Sequence, residues 1–319
     1  MFLAACYKNY GLIRNMKIAV IDLGTNTFHL LIADKAQNMH ILHKEKVAVQ
    51  LGKGGIDLNL IQPDAMERAL TTLRSFQSKI EERGVNEVIV TATSAVRNAT
   101  NQADFLKKVK DATGFEIQVL SGVDEASTIH LGVSEFVDFE EDTALIMDIG
   151  GGSIEFIIAN KDEVLWLKSY ELGGQRLIER FHKSDPISES EVSDLKMFLY
   201  DTLTEVFDMS MTLGASFLIG SSGSFDTFWD IYVKQPGAVS EETPVLYLSD
   251  FEKIRSMLIQ KDKESRLNIP GMIPMRVDMI VSAALVTQVI MDQCHFDKIQ
   301  VSPFALKEGL LYHGLPKTK

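Results

Sequence analysis

The chain has 319 residues, 45% hydrophobic and 24% charged, with 32 Lys+Arg against 44 Asp+Glu and a formal net charge of −12. That length exceeds what one core usually fills, the composition excludes a disordered chain, and the acidic balance excludes general nucleic-acid or membrane-surface binding. Two cysteines, Cys6 and Cys294, exclude a disulfide framework, and no Cys/His spacing fits a zinc site, which points to a reducing cytoplasm.

Residues 1–15 contain Leu3-Ala4-Ala5-Cys6, superficially a lipoprotein cleavage box, but neither a basic region nor an apolar stretch precedes it. The expectation is a disordered extension ahead of a natural start at Met16-Lys17-Ile18. No apolar run approaches the length of a membrane span, so no membrane partner is expected.

A repeat comes next. The run from Ile18 to Ala33 lies over the run from Ala144 to Ala159; Asp148 follows Asp22, and Gly150 follows Gly24, by the same 126 positions. Each copy is an apolar stretch, an Asp-x-Gly turn and a second apolar stretch, the pattern of a buried β-hairpin. Between the copies the spacing predicts a helix over Pro63–Arg83, with apolar positions at Met66, Leu70, Leu73, Phe76 and Ile80. Pro63 suits its first turn and Gly84 its C-terminal cap. A strand at Val88–Thr91, a helix near Asp104–Ala112, a strand at Phe115–Leu120 and a helix starting near Gly122–Glu125 complete the first half. The second half predicts strands at Val164–Ser169, Phe217–Ile219 and Lys298–Val301. Its predicted helices are Gln175–His182, Glu189–Met211, Asp250–Ile259, Val277–Met291 and Ala305–Tyr312. The break falls between Phe136 and Asp142, giving domains of 16–138 and 139–319, with the last helix a candidate to pack back on the first.

A glycine-rich turn presents several backbone N–H groups in one direction, which suits phosphate oxygens. An Asp at the adjoining strand end can hold hydrated Mg²⁺ or orient water. Two such turns in matching contexts, Asp22-Leu23-Gly24-Thr25-Asn26 and Asp148-Ile149-Gly150-Gly151-Gly152-Ser153, point to one polyanionic phosphate site. With a net charge of −12, attraction for a polyanion must be local: backbone N–H groups, a few Arg side chains and a divalent cation.

These two segments resemble the phosphate motifs of the exopolyphosphatase/guanosine-pentaphosphate phosphohydrolase (Ppx/GppA) family. The resemblance continues in Thr91-Ala-Thr-Ser-Ala-Val-Arg97, Ile117–Ala126, Leu172-Gly-Gly-Gln-Arg176 and Gly220–Asp226, and covers nearly all of Met16–Gly314. It implies an α/β fold of duplicated actin-like (ribonuclease H-like) domains flanking a cleft, in the short two-domain form. It also implies hydrolysis of a terminal phosphoanhydride, on inorganic polyphosphate or guanosine pentaphosphate, with Mg²⁺ as cofactor and a homodimer as assembly. Sugar kinases and heat-shock ATPases share that fold, but the Ser-Gly-x-x-Glu-Ala and Ala-Thr-Ser-Ala-Val-Arg motifs speak against them. A weakly catalytic polyphosphate or alarmone sensor is a further alternative.

Carried over by position, the resemblance makes Glu125 the catalytic base, although an acidic residue in a helix first turn is also what the macrodipole favours. Asp124 stands where the family commonly has Glu. Arg97 is expected to grip a phosphate oxygen pair, with Ser94 adding a hydroxyl. Gly24, Thr25 and Asn26, with Gly150, Gly151, Gly152 and Ser153, are expected to hold phosphates. Asp22, Asp148 and Glu155 are expected to serve Mg²⁺ or water. Arg176 can equally reach a distal phosphate or make an ion pair, and Ser221–Ser224 reads as a third Gly/Ser loop lining the cleft. His29, His40 and His43 are expected to be structural or exposed, Met272, Met275 and Met279 core or interface, and Glu140-Glu141-Asp142 solvated surface. Because each half supplies part of the site, hinge closure is expected.

Overall fold

The computed structural model describes residues 16–139, 142–238 and 243–316; the expected extension 1–15, with Cys6, and the pair Glu140-Glu141 lie outside them. The first half runs β1 (Lys17–Leu23), β2 (Phe28–Asp34), β3 (His40–Val47), α1 (Pro63–Glu82), β4 (Glu87–Ala92), α2 (Ser94–Arg97), α3 (Gln102–Thr113), β5 (Gln118–Val119) and α4 (Gly122–Ser134). The second half runs β6 (Thr143–Ile149), β7 (Ile154–Ala159), β8 (Val164–Tyr170), α5 (Gly174–Phe181), α6 (Glu189–Thr202), α7 (Thr204–Thr212) and β9 (Ala215–Ser221). After these come α8 (Gly223–Val233), β10 (Val245–Tyr247), α9 (Leu248–Gln260), α10 (Lys263–Leu267), α11 (Ile280–Cys294), β11 (Lys298–Ser302) and α12 (Leu306–His313).

The duplication seen in the hairpins extends to whole sheets. The first sheet is ordered β3-β2-β1-β4-β5, and the second repeats that order as β8-β7-β6-β9-β11, with β10 added antiparallel at its edge. In each, three antiparallel strands meet two parallel ones: β1 pairs parallel with β4 as β6 does with β9. The strands alternate with helices, and β1, β2, β6 and β7 are buried nearly throughout, as central strands covered on both faces must be.

Three clusters of apolar residues hold this together. One fills the first half around Phe28, Leu73, Phe76 and Phe105. A second fills the second half, where every residue of α11 from Ile280 to Met291 is buried. The third lies between the sheets and joins Val20 and Leu31 of the first to Ile146, Ile157 and Ile219 of the second, through Ile129 of α4 and Leu310 of α12. α4 packs on β7 and β8, and α12 packs on α4 and β1. Gly132 and Gly309 let these two helices touch, since a Cβ on Gly132 would lie 2.0 Å from the Ala305 carbonyl oxygen.

Several predicted elements differ in extent. The helix expected over 189–211 breaks at Leu203, where ψ is 12°. Thr202 and Thr204 flank the break and turn their hydroxyls onto the Phe198 and Tyr200 carbonyls, a pairing that bends a helix. The strand expected over 115–120 shortens to β5, which meets only the end of β4. The apolar helix expected from Val277 begins at Ile280, after a 3₁₀ turn at Pro274–Arg276. The Ser221–Ser224 segment is not a free loop: Ser221 ends β9, and Gly223 opens α8.

Candidate active site

Register brings the functional side chains into two rows. In the first sheet Thr91, Asp22, His29 and Lys46 are direct neighbours across β4, β1, β2 and β3. In the second sheet Ser221, Asp148, Glu155 and Ser169 are neighbours across β9, β6, β7 and β8. Residues paired in register share a face, so each row presents its side chains together at the C-terminal end of the central strand. Beyond each row the hairpin closes in the same way, with Gly24 N–H donating to the Thr27 carbonyl at 3.1 Å and Gly150 N–H to the Ser153 carbonyl at 3.0 Å.

The turns face each other. A Cβ on Gly152 would lie 2.5 Å from both Thr25 Oγ1 and Ser94 Oγ, so only glycine lets the second turn approach the first. The second turn is held from behind by α5. Gly174 and Gln175 N–H groups donate to the Gly150 and Gly151 carbonyls at 2.9 Å each, and Arg176 Nε donates to the Gly152 carbonyl at 3.0 Å. With the carbonyls occupied, the N–H groups of Gly151 and Gly152, which meet no backbone acceptor among the described residues, are available to an anion.

Between the rows lies a cavity of about 120 Å³. It is lined by Asp22, Glu125, Asp148 and Glu155, by both turns from Gly24 to Asn26 and from Gly150 to Ser153, and by His29, Lys46, Asp226, Arg276 and Lys307. Glu125 reaches it from the first turn of α4. Ser121 caps that helix by accepting the Asp124 N–H at 3.1 Å, and Gly122 lies where a Cβ would touch Ser169 of the opposite half. Asp124 serves the cap, its carboxylate accepting the Ser121 hydroxyl at 2.7 Å, and it does not line the cavity.

Burial governs the carboxylates. It pushes Asp22 up to about 7, with Lys307 opposing and Asp148 adding. Glu155 rises to about 8 through burial and the neighbouring Asp148 charge, against hydrogen bonds from Ser169 and Ser153. Glu125 lies well above the usual carboxylate range through burial and Glu155, with Arg97 opposing, and Asp148 is raised by burial against the Ser221 hydroxyl. Ser221 Oγ donates to Asp148 at 2.8 Å and Ser169 Oγ to Glu155 at 2.7 Å, whereas Asp22 Oδ1 is buried with no hydrogen-bond partner.

Stability follows from the same shifts. Asp22 and Glu155 titrate near 4 in an unfolded chain, so between about pH 4 and 8 these two sites hold more protons in the folded protein and their contribution to stability falls as pH rises. Lys46, lowered to about 8 by burial and the Arg276 charge, acts in the opposite sense above that window, and His29, His130 and His182, lowered by burial, act in the opposite sense within it. Melts in chelator from about pH 5 to about pH 8 are expected to show the midpoint of Asp22→Asn gaining a few degrees on that of the parent as pH rises, because the variant lacks the contribution that the parent loses. A gap between variant and parent that stays constant or closes over this range would refute the raised Asp22.

Not every predicted residue lies where expected. Ser94 borders the second turn at Gly152, but neither Ser94 nor Arg97 lines the cavity. Arg97, expected on a phosphate, spends both arms on carboxylates: Nη1 donates to Glu125 at 2.7 Å and Nη2 to Glu171 at 2.8 Å. Arg176 makes structural bonds here, Nη1 donating to the Ile56 carbonyl at 2.9 Å while Nε braces the turn. His40 is exposed and His43 pairs with Glu45, but His29 lines the cavity, held neutral by burial and by Lys307, Lys46 and Arg276. The repeat held that signal, because His29 and Glu155 are also 126 positions apart.

Sequence reasoning missed Lys46, Arg276 and Lys307. Arg276 is 7% exposed and its Nε has no partner, and Lys307 is half-buried and pairs with Glu308 at 3.0 Å. These three supply the local positive field that the net charge demands. Lys46 was recoverable once β3 was paired in register with β2; Arg276 and Lys307 come from distant segments and left no local pattern.

The doubled topology and the facing Asp-Gly hairpins place the chain in the duplicated actin-like class of α/β proteins. Comparison with known proteins narrows this: the Ppx/GppA phosphatase family matches residues 30–318, and the chain belongs to that family. It is 41% identical to an exopolyphosphatase from Cytophaga hutchinsonii of known structure, covering 93% of this chain and 97% of that one with a TM-score of 0.89. An Aquifex aeolicus PPX-GPPA enzyme is 26% identical over 93% of this chain and 98% of its own, with a TM-score of 0.75. Exopolyphosphatase 1 of Mycobacterium leprae is 27% identical over 304 residues, 94% of this chain and 90% of that protein. Among the described residues no helix is long and apolar enough to cross a membrane.

Proposed function

We propose that the chain is an exopolyphosphatase that releases orthophosphate from the end of inorganic polyphosphate. The observation that supports this best is the cavity itself, where two glycine turns and five carboxylates adjoin three cations, Arg276 buried and Lys46 and Lys307 half-buried, in one space. A carboxylate with a raised pKa suits a base near neutral pH, and cations beside it suit a chain of phosphates rather than a single one. The two relatives named as exopolyphosphatases favour the same substrate.

In this reading the terminal phosphate lies between the two turns, against the N–H groups that close no hairpin, those of Gly151 and Gly152 among them. Glu125 accepts a proton from the attacking water as its oxygen bonds to phosphorus and the bridging P–O bond breaks. Lys307 and Arg276 offset the charge that passes to the departing chain. Glu155, held by Ser169, orients the water with Glu125.

Among the described residues no three His, Cys, Asp or Glu side chains converge to cage a metal. Mg²⁺ commonly uses only one or two carboxylates, completing its shell with water and substrate phosphate. The partnerless Asp22 Oδ1 and the facing Asp148 fit that role, and the ion would neutralise charge on the phosphate oxygens.

The test is orthophosphate release from polyphosphate, guanosine pentaphosphate and ATP, with Mg²⁺ present and with it chelated. Polyphosphate is expected to be cleaved fastest and chelation to stop the reaction. Faster release from guanosine pentaphosphate would transfer the assignment to the alarmone, and release unaffected by chelation would remove the metal role.

A further inference from the structure

Glu171 stands where β8 passes into α5, and the reaction above gives it no part. Its side chain is 40% exposed, yet three donors surround it. Ser94 Oγ donates to it at 2.5 Å and Arg97 Nη2 at 2.8 Å, and Arg176 Nη2 lies at 3.4 Å. Ser94 and Arg97 belong to α2 of the first half, and Glu171 and Arg176 to the second, so the cluster spans the cleft.

The cluster also borders the phosphate turn. Ser94 Oγ sits 2.5 Å from where a Gly152 Cβ would be, and Arg176 holds the Gly152 carbonyl. A hydroxyl and two guanidinium groups converging beside a glycine turn form the donor set that a tetrahedral oxyanion takes. Burial alone would raise the Glu171 carboxyl, but hydrogen bonds from Ser94 and Arg97 hold it below the ordinary range, so it is an anion at neutral pH. Because it is reached by solvent, it can leave its donors without a buried charge being stranded.

We propose that Glu171 is a built-in competitor for phosphate, its carboxylate occupying the Ser94–Arg97–Arg176 donors in the free protein until an entering phosphate oxyanion displaces it. The inference rests on the phosphate-site reading above. A competitor of this kind lowers apparent affinity by the fraction of molecules in which it is seated. It also returns as orthophosphate departs, which discourages product from lingering. The expectation that Arg97 grips phosphate and the finding that it grips Glu171 are then two states of the same donor.

Titration of inorganic orthophosphate against the parent, Glu171→Gln and Glu171→Ala tests this without turnover, with KM and kcat on polyphosphate measured alongside. The variants are expected to bind orthophosphate about three- to tenfold tighter, with KM falling in parallel. If the parent binds orthophosphate and cleaves polyphosphate but both variants bind no tighter, the competitor is overturned and the functional reading stands. A fall in kcat with KM and orthophosphate affinity unchanged also overturns it, leaving Glu171 only a brace for Arg97. Orthophosphate binding to none of the three proteins overturns both readings. Melting midpoints of the two variants check folding, and the isosteric Gln keeps the hydrogen-bonding shape if Ala does not fold.

Discussion

Glu125→Gln is expected to lower orthophosphate release by about a thousandfold while phosphate binding survives, within the range a positioned general base supplies. The substitution keeps the side chain's length and an acceptor oxygen for Arg97, which now donates to Glu125 at 2.7 Å. What it removes, on the proposed function, is the proton acceptor. It also removes one charge from a buried group in which Glu155 and Asp22 already repel it. The variant is therefore expected to melt higher than the parent, since a site that concentrates carboxylates gives up stability for activity. Activity within about tenfold of the parent would dismiss Glu125 as the base. A lowered midpoint together with lost binding would instead make it a structural partner of Arg97.

The hairpins and the order of the elements were legible because apolar runs and glycine turns are local patterns, repeated at a fixed offset. Position 125 was legible only through a motif; by itself it reads as a helix-start carboxylate, and the α4 cap shows that Asp124 beside it is just that. What could not be read locally was produced by pairing and burial. Lys46 faces the cavity because β3 pairs with β2 in one register, and a shift by one residue would turn it away. Arg276 enters from a 3₁₀ turn and Lys307 from the start of α12, which returns to the first half from the far end of the chain. The Glu171 partner of Arg97 was not legible, because it lies 74 positions away on the other half.

Gly173→Ala carries the second large expectation, since it acts on the second glycine turn, the proposed phosphate site, without touching a charged group. Gly173 precedes α5 with φ at −55° and ψ at 160°, a conformation open to any residue, so backbone freedom is not the reason for glycine. Space is. A Cβ there would lie 2.2 Å from the Gly151 carbonyl carbon and 2.3 Å from the Gly152 nitrogen. Neither is a side chain that can swing aside; either the turn or the helix that holds its carbonyls must move. Overpacking of this kind costs about 1–3 kcal/mol, and shifting phosphate N–H donors by about an ångström is expected to lower kcat/KM by about a hundredfold. Gly174→Ala, one residue on, meets the flexible end of Met279, with Cε at 2.8 Å, and is expected to be much milder. Comparable losses in the two variants would show that α5 is generally intolerant of added volume. A selective loss at Gly173, visible in orthophosphate binding as well as in rate, would establish that α5 sets the second turn for its anion.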